Sequence, residues 1–134
     1  HSTPGLQRAG RREHMFRRVG GRWQPDDFSH EQSLVLETEE GLVIFNSCSH
    51  AGADNIINEV AAAFPGKTVR AMIGGFHLYN KTEAEVKTLA QKLEATGVAY
   101  ICTGHCTGPE AYELLARTLG QRLHPLQVGL TMEF

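Results

Sequence analysis

Three times in succession, a short β-rich run ends in a polar junction that carries a histidine and leads into a helical stripe. This alternation restricts the fold more than any other feature of the chain. In the first unit, Leu42-Val43-Ile44-Phe45-Asn46 passes through Ser47-Cys48-Ser49-His50-Ala51-Gly52 into Ala53, Ile56, Ile57, Val60, Ala61 and Phe64, which share one helical face before Pro65-Gly66. In the second, a strand over residues 68–73 meets Gly74-Gly75-Phe76-His77-Leu78. Thr82 and Glu85 then stand at capping-box spacing ahead of Val86, Leu89, Ala90 and Leu93, with Gly97 placed to end the helix. In the third, a strand over 98–102 meets Thr103-Gly104-His105-Cys106-Thr107-Gly108. Thr107 and Glu110 flank Pro109 there, and Ala111, Leu114, Leu115 and Thr118 form the stripe before Gly120.

Ahead of these units, residues 33–38 form a further β-rich run, joined to Leu42 by Glu39-Glu40-Gly41 as a hairpin, and a last strand is expected over residues 126–130. Strands alternating with helices specify an α/β fold with a mixed sheet, opened by an antiparallel hairpin and continued by crossovers. Open sheets of this kind place ligands at the loops that follow their strands. At 134 residues, 41% hydrophobic and 21% charged, the chain has the size and composition of one globular domain rather than a disordered or fibrous protein. It has no apolar run of the roughly 18 to 20 residues a membrane helix needs, and no apolar signal region at its start, so a cytoplasmic location is expected.

Charge divides the chain unevenly. Residues 1–24 hold six arginines against one acid, Glu13, whereas the other 110 residues hold seven Lys or Arg against 14 acids. With Gly5, Gly10, Gly20 and Gly21 among the arginines, residues 1–24 read as a basic arm or loop, and residues 25–134 as the folded unit. Trp23 and Phe28 are expected to staple the arm to the domain. Arginine clustering can supply phosphate contacts, but no aromatic stacking pattern accompanies it, so nucleic acid is not the expected partner.

Chemistry concentrates at the three junctions. If they share one edge of the sheet, His50, His77 and His105 converge, and imidazole is the commonest nitrogen ligand for Zn, Fe, Mn or Ni. His50 and His105 are the expected metal ligands. His77 is the expected catalytic contact to substrate, or else completes the metal shell. Cys48 and Cys106 lie close to these histidines in sequence, as possible ligands, neighbours of the substrate or, for Cys48, a nucleophile. The odd count of three cysteines argues against a disulfide framework, and Cys102, inside a strand, is expected in the core. Asp27, His30 and Glu31 precede the hairpin either as a polar entry loop or as groups that hold a ligand imidazole or orient substrate.

The run DDFSHEQSLVLETEEGLVIFNSCSHAGADNII, followed by IGGFHL and TGHCTG, resembles the C-terminal half of metallo-β-lactamase-fold proteins, in the branch that includes an archaeal pterin-pathway synthase. The resemblance implies half of an αββα sandwich with helices on one face of the sheet. It also implies a divalent metal, zinc first, with Mn, Fe or Ni as alternatives. His50 and His105 then fall at two ligand positions of the family, while His77 falls near the place where many relatives carry a bridging carboxylate. The family's HxHxDH motif does not occur in the chain.

The resemblance therefore implies half of a site, completed by an N-terminal half or by another copy, with an exposed apolar sheet face favouring a homo-oligomer. The function it implies is a metal-dependent, hydrolase-like activity on a small phosphoester, ester or pterin-type substrate through metal-activated water. The alternative is a catalytically silent binding or assembly module without metal.

Overall fold

The computed structural model describes residues 10–134; the first nine residues of the basic arm lie outside the described residues. Strands β1 (Phe16–Val19) and β2 (Arg22–Pro25) form an antiparallel ribbon. The main sheet has five strands in the order β3-β4-β5-β6-β7, namely Leu34–Thr38, Gly41–Asn46, Val69–Gly75, Tyr100–Gly104 and Leu123–Pro125. Only the β3–β4 pair is antiparallel; β4, β5, β6 and β7 run parallel. The crossovers are helices α1 (Ala53–Ala63), α2 (Glu83–Ala95) and α3 (Pro109–Leu119).

Side chains alternate across a strand, so β4 sends Leu42 and Ile44 one way and Val43 the other. Leu42, Ile44, Met72 and Ile101 meet Ile56, Ile57, Val86, Leu93 and Leu115 of the three helices in the main core. The opposite face carries Val43, Ala71, Ile73 and Cys102, against which Met132 and Phe134 of the C-terminal segment pack. All three helices therefore contribute to one face of the sheet, as expected.

Local rules account for most element ends. Thr82 caps α2 through the full capping box with Glu85, and Pro109 opens α3 at its first turn. Thr107 does not cap α3. Its buried hydroxyl instead accepts from Phe76 N–H (3.0 Å) and pairs with Thr103 Oγ1 (2.6 Å), tying the third junction to the second.

Three expectations are corrected. The last strand lies at Leu123–Pro125, and residues 126–130 form none; Leu126 N–H still donates to Thr103 O (3.0 Å), but left-handed Gly129 does not sustain an extended run. Residues 16–24, expected in the arm, form the β1–β2 ribbon together with Pro25, because Gly20 and Gly21 both supply positive φ at a two-residue turn. Trp23 is 71% exposed rather than packed down as a staple, whereas Phe28 is buried. Among the described residues no helix is long and apolar enough to cross a membrane.

Candidate metal centre at the sheet edge

Strands β4, β5 and β6 end side by side, and the residues that follow them adopt backbone conformations that side chains normally avoid. Ser49, His77 and His105 all have positive φ (55°, 49° and 53°), as does Phe28 (52°) in the loop ahead of β3. Left-handed backbone at non-glycine residues costs on the order of 1–3 kcal/mol each and gathers at functional sites. Here it turns each junction abruptly at the sheet edge.

The first junction is held by a carboxylate from outside it. Buried Glu31 accepts from the backbone N–H groups of His50 (2.8 Å) and Ala51 (2.9 Å). Asn46, closing β4, bridges Ser33 (2.7 Å) and Ser49 (3.1 Å) whichever way its amide is turned. The His50 ring stacks on Phe28 at 4.1 Å with only 7° between the planes. Its other neighbour is His77, with ring centroids 4.3 Å apart. Burial, and then the adjoining His77, push the His50 pKa below its ordinary value, which keeps the ring neutral and its lone pair available.

Glycine is obligatory at the second junction. A Cβ on Gly74 would stand 1.9 Å from Asn46 O, and one on Gly75 would stand 2.6 Å from Cys106 Sγ and 2.8 Å from Ser47 O. The bare backbone thus lets β5 approach the end of β4 and lets the Cys106 sulfur lie over the strand end. Cys106 accepts from His77 N–H at its sulfur (3.2 Å) and from Leu78 N–H (3.0 Å) and Tyr79 N–H (3.2 Å) at its carbonyl. Junctions two and three are in this way one hydrogen-bonded unit.

The third junction, a 3₁₀ turn over His105–Thr107, presents His105 exposed. Ligand atoms of Cys48, His105 and Cys106 all lie within 4.8 Å of one another, a grouping that spans the ends of β4 and β6. Burial first, then the nearby Cys48 thiol, push the Cys106 pKa up to about 11. The thiol is therefore protonated at neutral pH unless a cation replaces the proton.

The expected site residues divide accordingly. His105 comes together with Cys48 and Cys106, and His50 comes together with His77, with Cys106 touching the second pair through His77 N–H. Of the three groups expected to steady a ligand ring, Glu31 steadies the His50 backbone rather than an imidazole. Asp27 engages Arg17 (2.7 Å) and Ser29 N–H (3.1 Å) instead, and exposed His30 lies beside Asp26 (3.7 Å). Phe28 serves as the platform for His50. Cys102 is fully buried in the sheet, as read from its strand position.

Sequence reasoning passed over Glu13. Its side chain is only 5% exposed, and its carboxylate takes bonds from Lys81 Nζ (2.6 Å) and Asn80 Nδ2 and lies 3.5 Å from His77 Nε2. Burial raises its pKa, but the bonds from Lys81 and Asn80 and the Lys81 charge outweigh burial and hold it at about 2, below the ordinary 4.5. A carboxyl depressed on folding adds stability that is complete above its unfolded pKa and disappears as pH falls through the folded one. Glu13→Gln is therefore expected to flatten the loss of thermal stability between about pH 4.5 and about pH 2, read from melting curves across that range. A wild-type acid limb preserved in the variant would contradict this.

No family model matches the chain. Over 120 residues it is 31% identical to the 7,8-dihydropterin-6-methyl-4-(β-D-ribofuranosyl)-aminobenzene-5'-phosphate synthase of Methanocaldococcus jannaschii, covering 90% of this chain and 41% of that protein. Among solved structures it superposes on Tm1679, a metal-dependent hydrolase of the β-lactamase superfamily, with a TM-score of 0.82 and 33% identity, covering 89% of this chain and 46% of the other. The chain thus spans a little under half the length of either relative. It is a homologue of the archaeal synthase that carries, over that span, the fold of the metallo-β-lactamase superfamily.

Proposed function

We propose that this chain contributes a metal-holding edge to a metal-dependent, hydrolase-type centre that acts on a small phosphoester, ester or pterin-type substrate. The observation that carries the reading is the grouping of Cys48, His105 and Cys106 within 4.8 Å. Two thiols and an imidazole suit zinc first and Fe, Mn or Ni less well, because sulfur donors favour the softer ions. His105 is the ligand on which the reading turns, with neutral His50 as the further nitrogen donor. When bound, such a metal supplies Lewis acidity that polarises an electrophile and acidifies water.

The chain's own groups do the rest. Glu31 fixes the His50 loop, Gly75 admits the Cys106 sulfur, and His77 directs Nε2 away from its own backbone toward an acidic group. Among the described residues the sheet face bearing Val43, Ala71 and Ile73 has Met132 and Phe134 of the C-terminal segment packed against it, and a complementing half or a second copy on the rest of that face is the partner we propose to complete the site. A cytoplasmic setting, where thiols stay reduced, suits the cysteine ligands.

Cobalt titration of the reduced protein tests the reading. One equivalent is expected to give a near-ultraviolet thiolate-to-cobalt band, absent from the Cys48→Ser/Cys106→Ser double variant, with affinity about ten-fold or more weaker in His105→Ala. Protein that takes up no Co or Zn, and whose melting temperature added metal leaves unchanged, would instead be the silent binding or assembly module.

A further inference from the structure

We propose that Lys81, Asn80 and His77 form a recognition site for the phosphate group of a small molecule, and that Glu13 fills this site from within the chain. The three donors come from one short segment between β5 and α2, and that segment is built without Glu13. Leu78 and Tyr79 N–H are fixed on Cys106 O, Lys81 N–H donates to Leu78 O (3.0 Å), and the capping box of α2 begins at the next residue. The donors are thus preorganised around the place where the Glu13 carboxylate lies.

A carboxylate fits this site incompletely. Its Oε1 takes Lys81 Nζ and its Oε2 takes Asn80 Nδ2, while the third donor, His77 Nε2, is left at 3.5 Å, beyond a good hydrogen bond. His77 Nε2, on a side chain only 8% exposed, stands 3.5 Å from Oε2 and is one of three buried side-chain polar atoms among the described residues that lack a hydrogen bond. A buried polar atom without a partner costs about 1–3 kcal/mol and calls for an explanation. A tetrahedral phosphate monoester offers three terminal oxygens, one for each donor, and takes a charge-assisted hydrogen bond from Lys81 as the carboxylate does. Room for the organic part lies alongside: Lys81 also lines a cleft of about 540 Å³ with Tyr79, Val86 and Leu114, whose rim carries Arg117 together with the carboxylates Glu83, Glu110 and Glu113, so the cleft suits an uncharged organic part rather than a second anionic group.

The inference rests on the proposed function only in treating the phosphate as part of the substrate, since binding at this site needs no metal. The test therefore uses metal-free protein in chelator, so that failure here and failure to bind cobalt are separate results. Inorganic phosphate and phenyl phosphate are titrated into wild type, Glu13→Ala and Glu13→Ala/Lys81→Ala, with the Asn80 side-chain amide and the His77 ring followed by NMR. Expected is phosphate binding about ten-fold or more tighter in Glu13→Ala than in wild type, phenyl phosphate at least matching inorganic phosphate, and about ten-fold or more lost again in the double variant.

A folded Glu13→Ala protein that binds phosphate no better than wild type would overturn the proposal. So would binding indifferent to Lys81, or binding of inorganic phosphate without the ester. Should Glu13→Ala fail to fold, Glu13→Gln keeps the side-chain shape while removing the charge, and the same readings decide.

Discussion

Alanine at position 74 is expected to remove about 4 kcal/mol of stability, a large share of the roughly 5–15 kcal/mol available to a domain of this kind. Two effects coincide there. Gly74 has a φ of 153°, a region that residues with a side chain rarely enter, and an added Cβ would stand 1.9 Å from Asn46 O and 2.9 Å from Asn46 C. Backbone cannot swing aside as the end of a flexible side chain does, so β4 and β5 must separate where the first two junctions begin. Gly66→Ala separates strain from collision, since Gly66 also has positive φ (82°) but meets nothing within 4 Å; it is expected to cost only about 1–2 kcal/mol. Guanidinium unfolding of both variants gives the comparison. Equal midpoints would show that the close approach of the two strands contributes nothing.

Glu31→Ala is the second large effect, expected at about 3 kcal/mol, because charge-assisted hydrogen bonds contribute about 1.5–3 kcal/mol each and two are lost together. The His50 and Ala51 N–H groups would then lack their acceptor, and Ala51 is buried. Local consequences should accompany the global one. His50 stacks on Phe28 only while its loop is held, so its ring protons should lose the shielding of the phenyl face in an NMR spectrum of the variant. Glu31→Gln keeps one acceptor and should fall between the two. If Glu31→Ala stays within about 0.5 kcal/mol of wild type with His50 shifts unchanged, the loop is held by something else.

Much of this architecture is legible in the sequence, for identifiable reasons. Periodicity reports burial on one face, so the three helical stripes and the hairpin ahead of them declared themselves through Ile56, Val86, Leu115 and their neighbours. The histidine junctions were legible because each followed a strand. What sequence order hides is how side chains at different junctions sort themselves. Cys106 joins His105 because Gly75 leaves it room, and His50 faces His77 because Phe28 supports its other side.

Glu13 was hidden more deeply. Nothing in a glycine- and arginine-rich stretch indicates that its one acid will be buried beside Lys81. The Gly20-Gly21 pair did carry a turn signal, but the surrounding charge obscured it. The position of β7 is not legible in the sequence because Leu126, Val128 and Leu130 alternate like a strand, whereas pairing with β6 is completed earlier, at Leu123–Pro125.

The order of the main sheet follows the order of the chain from β3 to β7, and this has a consequence for biosynthesis. From β4 to β7, each strand leaving the ribosome finds its neighbour already made and its edge open, so none of these four waits, exposed to aggregation, for its first partner. Assembly can advance like a zipper, one crossover at a time, and the residues of the thiol and imidazole cluster are all made before α3 and β7 close the sheet.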